Sequence, residues 1–160
     1  MQVLVLYYSK TGNTEKLAHE IETGVQEVKD IDCLVKSVGE VSEEDFLSSE
    51  GIIAGSPVYF GTMAAELKKV FDDFIGIRKK MEDKIGAAFA TSNHHTGGKE
   101  TTLFSIIQAM MIYGMIIVGD PLNATGHYGI ADSKNRDPQT AENAAKLGKR
   151  VAEVVKKMYA

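Results

Sequence analysis

The densest group of chemically capable side chains lies at residues 9–14, Ser9-Lys10-Thr11-Gly12-Asn13-Thr14. It follows directly on Gln2–Tyr8, QVLVLYY, an almost unbroken apolar run rich in β-formers, and a helical pattern starts from Thr14. A buried strand, a hydroxyl-rich turn and a helix start are the parts of an anion site at the edge of a parallel sheet. The hydroxyls of Ser9, Thr11 and Thr14 and successive backbone N–H groups converge where the helix dipole is positive. A phosphate monoester fits such a cup without a buried cation. The plain alternative is a helix cap on a turn that only takes up stray sulfate. The turn has too few glycines for G-x-G-x-x-G, and it lacks the G-x-x-x-x-G-K-[ST] of a nucleoside-triphosphate loop.

Two more polar stretches follow short apolar runs. Ser56-Pro57-Val58-Tyr59-Phe60-Gly61 leaves GIIAG (51–55), and Thr91-Ser92-Asn93-His94-His95-Thr96-Gly97-Gly98-Lys99 leaves IGAAFA (85–90). Pro57 cannot extend a strand ladder, and Gly61 permits a turn. Both stretches therefore read as loops. His94, His95, His127 and Cys33 stand without C-x-x-C, H-x-x-x-H or carboxylate pairing, so no metal site is expected. Cys33 falls in an expected strand and reads as a buried small apolar residue.

The elements that must position these loops alternate along the chain. Helices are expected from Thr14 (inward set Leu17, Ala18, Ile21, Val25, Val28) and from Thr62 as cap (Met63, Leu67, Val70, Phe71, Phe74). Two more are expected over 100–113 (Leu103, Ile106, Ile107, Met110) and 139–159 (Ala144, Ala145, Gly148, Val151, Val155, Met158). Strands are expected at 2–8, 31–38, 51–55, 85–90 and 115–118, and Gly119–Pro138 reads as irregular. The acidic stretch 39–50 is expected to be pinned to the core by Phe46 and Leu47. Five β-α units imply a single α/β domain over 1–160, a five-stranded parallel sheet wound on both faces, with order 2-1-3-4-5. That order opens a crevice between strands 1 and 3, and the polar loops after strands 1, 3 and 4 all reach its carboxyl edge.

Composition sets outer bounds. The chain has 160 residues, 44 % of them hydrophobic, 25 % charged, and a net charge of −4. This is ordinary for a globular protein and argues against non-specific nucleic-acid binding. One cysteine, no basic region ahead of the apolar start and no apolar run near 18 residues point to a cytoplasmic protein without a membrane span. Met110-Met111-Ile112 carries more apolar residues than one inward face needs, which points to self-association as a homo-oligomer.

Ser9–Thr14 resembles the S/T-x-T-G-x-T phosphate loop of the flavodoxin-like FMN proteins, and the resemblance covers the whole chain. A closer resemblance is to the WrbA-type NAD(P)H:quinone oxidoreductases. Ser56-Pro57, Phe60-Gly61 and Met63-Ala64 are similar to their second loop. Gly97-Gly98-Lys99-Glu100-Thr101-Thr102 resembles their third, and Gly114-Met115-Ile116-Ile117-Val118 their entry to strand 5. WrbA proteins carry insertions between strands 2 and 3 and near strand 5, where this chain is short. The flavodoxin pattern of a stacking Trp and D-x-x-Y is missing, and the chain has no Trp.

The resemblance implies FMN as cofactor and NADH or NADPH as donor. It implies FMN phosphate on Ser9, Lys10, Thr11, Gly12, Asn13 and Thr14, and the isoalloxazine ring against Pro57, Val58, Tyr59, Phe60 and Gly61. Phe60 would either meet the ring or belong to the core. Thr91, Ser92, Asn93, His94, His95, Thr96, Gly97 and Gly98 would cover the pyrimidine edge. His94 and His95 are candidate proton donors, though adjacent histidines on a polar loop are commonly only solvated. Tyr113 occupies the place of a flavin-contacting histidine, or simply closes its helix. His127 and Tyr128 would frame the mouth. The expected activity is reduction of a quinone-like or other small acceptor. The rival is a flavodoxin-type carrier that passes single electrons between redox proteins.

Overall fold

The computed structural model of the chain describes residues 1–124 and 126–160. Its strands are β1 (Gln2–Tyr7), β2 (Asp32–Ser37), β3 (Gly51–Tyr59), β4 (Thr62–Met63), β5 (Ile85–Ser92), β6 (Ile116–Ile117) and β7 (Ile130–Ser133). Its helices are α1 (Asn13–Gln26), α2 (Glu43–Ser48), α3 (Ala65–Asp73), α4 (Lys99–Ile112) and α5 (Thr140–Tyr159), with a 3-10 helix over Phe74–Lys80.

The sheet order is β2-β1-β3-β5-β6, all parallel, with β4 antiparallel on β3 and β7 parallel on β5. With the β4 hairpin set aside, this is the expected 2-1-3-4-5. The fifth place is shared. β6 pairs with the start of β5 (Ile85↔Ile116), and β7 with its end (Phe89↔Ile130 to Ser92↔Ser133). Strands buried on both faces need apolar residues throughout. In β1, Val3, Val5 and Tyr7 pack with α1 and α5, while Leu4 and Leu6 pack with α2, α3 and α4. The inward sets of α1 and α4 are as expected, except that Val28 lies beyond the end of α1 and only half-buried against the core. In α5, Leu147 and Ala152 are buried instead of Ala145 and Met158.

Local departures from the expected elements have identifiable causes. β3 runs four residues past Gly55, through Pro57. β1 stops pairing at Gly55, so the missing N–H of Pro57 falls on the open side, while Pro57 still stands opposite Thr91 of β5. Thr62 caps nothing, because it pairs with Tyr59 in a hairpin, and α3 begins after Ala64. α2 forms from the acidic stretch because Ser42 and Asp45 make a reciprocal capping box. Lys84 then donates to the carbonyls of Phe46, Leu47 and Ser49 at the helix C-terminus (3.1, 2.6 and 2.6 Å). No helix among the described residues is long and apolar enough to cross a membrane.

Candidate functional site

The first loop leaves β1 at the carboxyl edge and turns into α1 through Gly12, whose φ of 86° is left-handed. The Gly12 N–H donates to Ser9 Oγ (3.0 Å), and Asn13 Nδ2 donates to Thr11 Oγ1 (3.3 Å). Thr14 was expected to cap the helix. It stands inside the first turn instead, is buried, and its hydroxyl meets the buried Thr91 hydroxyl at 2.8 Å. The helix already starts at Asn13, with Gly12 in the N-cap place, so Thr14 lies past the position from which a cap side chain accepts a helix N–H. The bond ties the first loop to the end of β5, across 77 residues.

An anion fits this cup on several grounds. The opening amides of a helix have no intrahelical acceptors. Residues 8–14 hold no carboxylate. The nearest one, Glu15, accepts from Tyr7 Oη at 3.0 Å. Lys10, Thr11 and Asn13 are exposed at the rim.

Tyr59-Phe60-Gly61-Thr62 is a two-residue hairpin turn with φ of 52° at Phe60 and 80° at Gly61. Both values are left-handed, as a type I′ turn requires. The hairpin is held from behind: Ser56 Oγ accepts from Ala64 N (2.8 Å), and Ser105 Oγ of α4 accepts from Met63 N (3.0 Å). The second and third loops touch at their glycines. A Cβ on Gly98, itself at φ 63°, would lie 3.1 Å from Gly61 Cα and 3.3 Å from Val58 Cγ1. Between the loops lies a cleft of about 390 Å³, lined by Val58, Gly61, Ser92, Asn93, His94, Gly97 and Gly98.

The third loop is internally bonded. Ser92 Oγ and Gly97 N both donate to the His94 carbonyl (2.6 and 3.1 Å). Thr96 N donates to His94 Nδ1 (3.3 Å), and Thr96 Oγ1 lies 2.8 Å from the same nitrogen. Both contacts hold His94 Nδ1 within the loop. His95 stacks on it at 4.5 Å.

The three aromatic residues expected at the ring lie away from this cleft. Tyr59 and Phe60 border a different hollow, between α3 and α4. Phe60 is neither core nor cleft lining: it stands fully exposed at the hairpin tip. Tyr59 meets Tyr8 edge-on at 6.3 Å, and the Tyr8 hydroxyl, bonded to the Glu66 carboxylate, is pushed up to about 12. Of the two expectations for Tyr113, the structure fits the one that closes its helix. It follows α4, about 20 Å along the helix from Gly98. It is buried, donates its hydroxyl to the Phe71 carbonyl, and burial pushes it up to about 12. It stands at the C-terminal cap of α4. The Tyr128 ring lies tilted against Phe104 of α4 at 4.7 Å, and His127 lies edge-on to Tyr128.

A second cleft, about 290 Å³, is lined by Asn13, Thr91 and Ser92, all expected at the site, together with Lys16, Asp132, Ser133, Lys134 and Arg136, which sequence reasoning missed. Arg136 is neutralised there by Glu20 and by Asp132 (3.6 Å). The only available signal was the apolar–polar alternation of Ile130–Ser133, short and set among turn residues. Among the described residues no three His, Cys, Asp or Glu side chains gather as a metal site. The Cys33 thiol is only partly buried, and burial pushes it up to about 12.

A parallel sheet in this order, with three loops converging on one strand edge, defines a flavodoxin-like flavoprotein. A family profile described as NADPH-dependent FMN reductase matches residues 1–129, and the chain belongs to that family. A flavodoxin from Clostridium saccharobutylicum is 33% identical over 165 residues, spanning 99% of this chain and 100% of the relative. An NAD(P)H dehydrogenase (quinone) from Archaeoglobus fulgidus is 34% identical over 189 residues, spanning 98% of each. Among solved structures, a flavodoxin, WrbA-like protein from Agrobacterium tumefaciens shares the fold with a TM-score of 0.84 at 23% identity, covering 98% of both chains. A flavodoxin from the domain Archaea gives 0.81 at 26% identity, covering 98% of this chain and 99% of the other.

Proposed function

We propose that this chain is an FMN oxidoreductase that takes reducing equivalents from NADH or NADPH and delivers them to a quinone-like or other small acceptor. FMN, when bound, supplies the hydride and electron chemistry. The observation that carries the reading is the link between the phosphate cup and the ring-side loops through Thr14 and Thr91.

In this reading Ser9, Thr11 and Thr14 and the N–H groups of residues 10–14 bind the phosphate. Val58, Gly61, Asn93, His94, Gly97 and Gly98, which line the cleft, would border the ring. Gly97 and Gly98 add no side-chain bulk over the cleft, and Tyr59 and Phe60 border the other hollow. An uncovered face suits a nicotinamide and then an acceptor in the same place. His94, which lines the cleft, is the residue assigned to hold a proton there.

The carrier reading is favoured by a specific observation: a flavodoxin aligns over 100% of its length with 99% of this chain. Steady-state oxidation of NADH or NADPH that requires both FMN and benzoquinone supports the reductase. Absence of such oxidation by FMN-loaded protein, with FMN still bound, leaves the carrier.

A further inference from the structure

The hairpin that carries the second loop walls two hollows at once. Val58 and Gly61 line the cleft assigned to the flavin, while Tyr59, Phe60, Thr62 and Met63 line a groove of about 740 Å³ between α3 and α4. Neighbouring strand residues point to opposite sides, which sends Val58 to the cleft and Tyr59 to the groove. At the turn the partition is thin. Gly61 stands between Phe60 and Thr62, and a Cβ on it would meet a single atom within reach, Thr101 Oγ1 at 3.7 Å.

The groove is apolar and electrically quiet. Its buried lining includes Met63, Phe71, Ala109 and Tyr113. The charged residues that line it are already engaged: Lys68 with Asp72 (2.5 Å), and Glu66 with the Tyr8 hydroxyl. Ser105 Oγ is held between the Met63 N–H and the Thr102 carbonyl (3.0 and 2.7 Å). No charge on this lining is left over for a phosphate, a carboxylate or a nucleotide, so the matching ligand is neutral and apolar. From Ser105 to Ile112 the groove follows α4 for about 10 Å. Its volume is that of a small-molecule site, about 300–1,000 Å³.

We propose that the groove receives the apolar tail of the acceptor, an alkyl or isoprenoid chain on a quinone whose ring stands at the flavin cleft. The inference rests on the reductase reading and names the acceptor class within it. NADH or NADPH gives a hydride, solvent gives one proton, and the quinone leaves as the hydroquinone; the tail takes no part in that exchange. It contributes by covering apolar surface, since Phe60, Ile75 and Ile112 border the groove and are exposed. A chain laid across Gly61 is also the occupant that uses the thin partition between the hollows. A folded partner resting on the face has no need of it.

The test takes oxidised, FMN-loaded protein and two fully substituted benzoquinones that differ in one group, methyl or decyl, with binding measured by equilibrium dialysis. Oxidised flavin cannot reduce them, so binding is read without turnover. A buried methylene is worth about fourfold, and burial of about four added ones gives the decyl compound a roughly two-hundredfold advantage. Ile112→Glu puts a charge at the far end of the groove and should cut that advantage at least about tenfold. Phe60→Asn suits the left-handed turn better, and should raise the apo melting point while lowering the decyl advantage. Equal affinity for the two quinones overturns the proposal, and is the result expected where a second copy or another protein fills the groove. A decyl advantage that both variants leave intact overturns it too. Protein that prefers the decyl compound but is bleached by neither NADH nor NADPH keeps the groove and loses the reductase reading. Turnover of benzoquinone with no preference for a tail does the reverse.

Discussion

The Thr14–Thr91 bond is the most informative place to perturb the site, because it is both structural and within reach of the proposed phosphate. The two hydroxyls are 2.8 Å apart and almost fully buried, at 2% and 6% exposure. Thr14→Val keeps the shape but leaves the Thr91 hydroxyl without its partner, a cost of about 1–3 kcal/mol. At roughly 2–4 °C per kcal/mol for a chain of this size, the apo protein should melt about 2–12 °C lower. Thr91→Val should cost a similar amount. The double valine variant should cost clearly less than the sum, because no polar group is then stranded. Thr14 also belongs to the loop assigned to the phosphate. If Thr91 donates to Thr14, the Thr14 proton is free for the ligand. FMN affinity should then fall about ten- to a hundred-fold in Thr14→Val, while riboflavin, which has no phosphate, binds as before. Differential scanning calorimetry of the apo forms and flavin fluorescence titration read the two effects separately. Strictly additive valine variants would refute the bond. An unchanged ratio of FMN to riboflavin affinity would refute the phosphate assignment.

Gly98→Ala and Gly61→Ala share a left-handed backbone penalty of about 1–2 kcal/mol, so their apo melting points should fall alike. Only the Gly98 Cβ presses on the opposite loop, so Gly98→Ala should weaken FMN more in the same titration. Tyr113→Phe removes the bond to the Phe71 carbonyl and should cost about 1–2 kcal/mol in denaturant unfolding while turnover is unchanged. Loss of turnover there would return Tyr113 to the site. At Asp45, burial works to raise the carboxyl, but the Lys36 ammonium and Ser42 outweigh it and hold it below the usual range. A lowered folded pKa contributes stability fully present above the unfolded value of about 3.9 and lost as pH falls through the folded one. Acid unfolding curves should therefore be less steep in Asp45→Asn than in the wild type.

What could be read in advance depended on whether local residues or distant ones decided the structure. The central strands were legible because burial on both faces demands apolar runs such as Gln2–Tyr7 and Ile85–Ala90. The inward residues of α4 were legible from their spacing. β7 was not: four residues with two polar side chains become a strand only because Phe89–Ser92 stands beside them. The strand character of Pro57 likewise depends on where β1 ends. At the site, the first loop was visible as a run of hydroxyls, but its helix starts at Asn13, and Thr14 turns to a partner 77 residues away. The placing of Tyr113 rested on a family position, and the Phe71 carbonyl that holds it is distant in sequence.

The central claim is a flavin site whose exposed ring face serves a nicotinamide and a small acceptor, and anaerobic rapid mixing of FMN-loaded protein with NADH or NADPH tests it most directly. The account predicts fast bleaching of the flavin absorbance, re-oxidation by benzoquinone, and little one-electron-reduced flavin in a parallel dithionite titration. A flavin that neither nucleotide bleaches, but that dithionite reduces through a stoichiometric one-electron state, would contradict it.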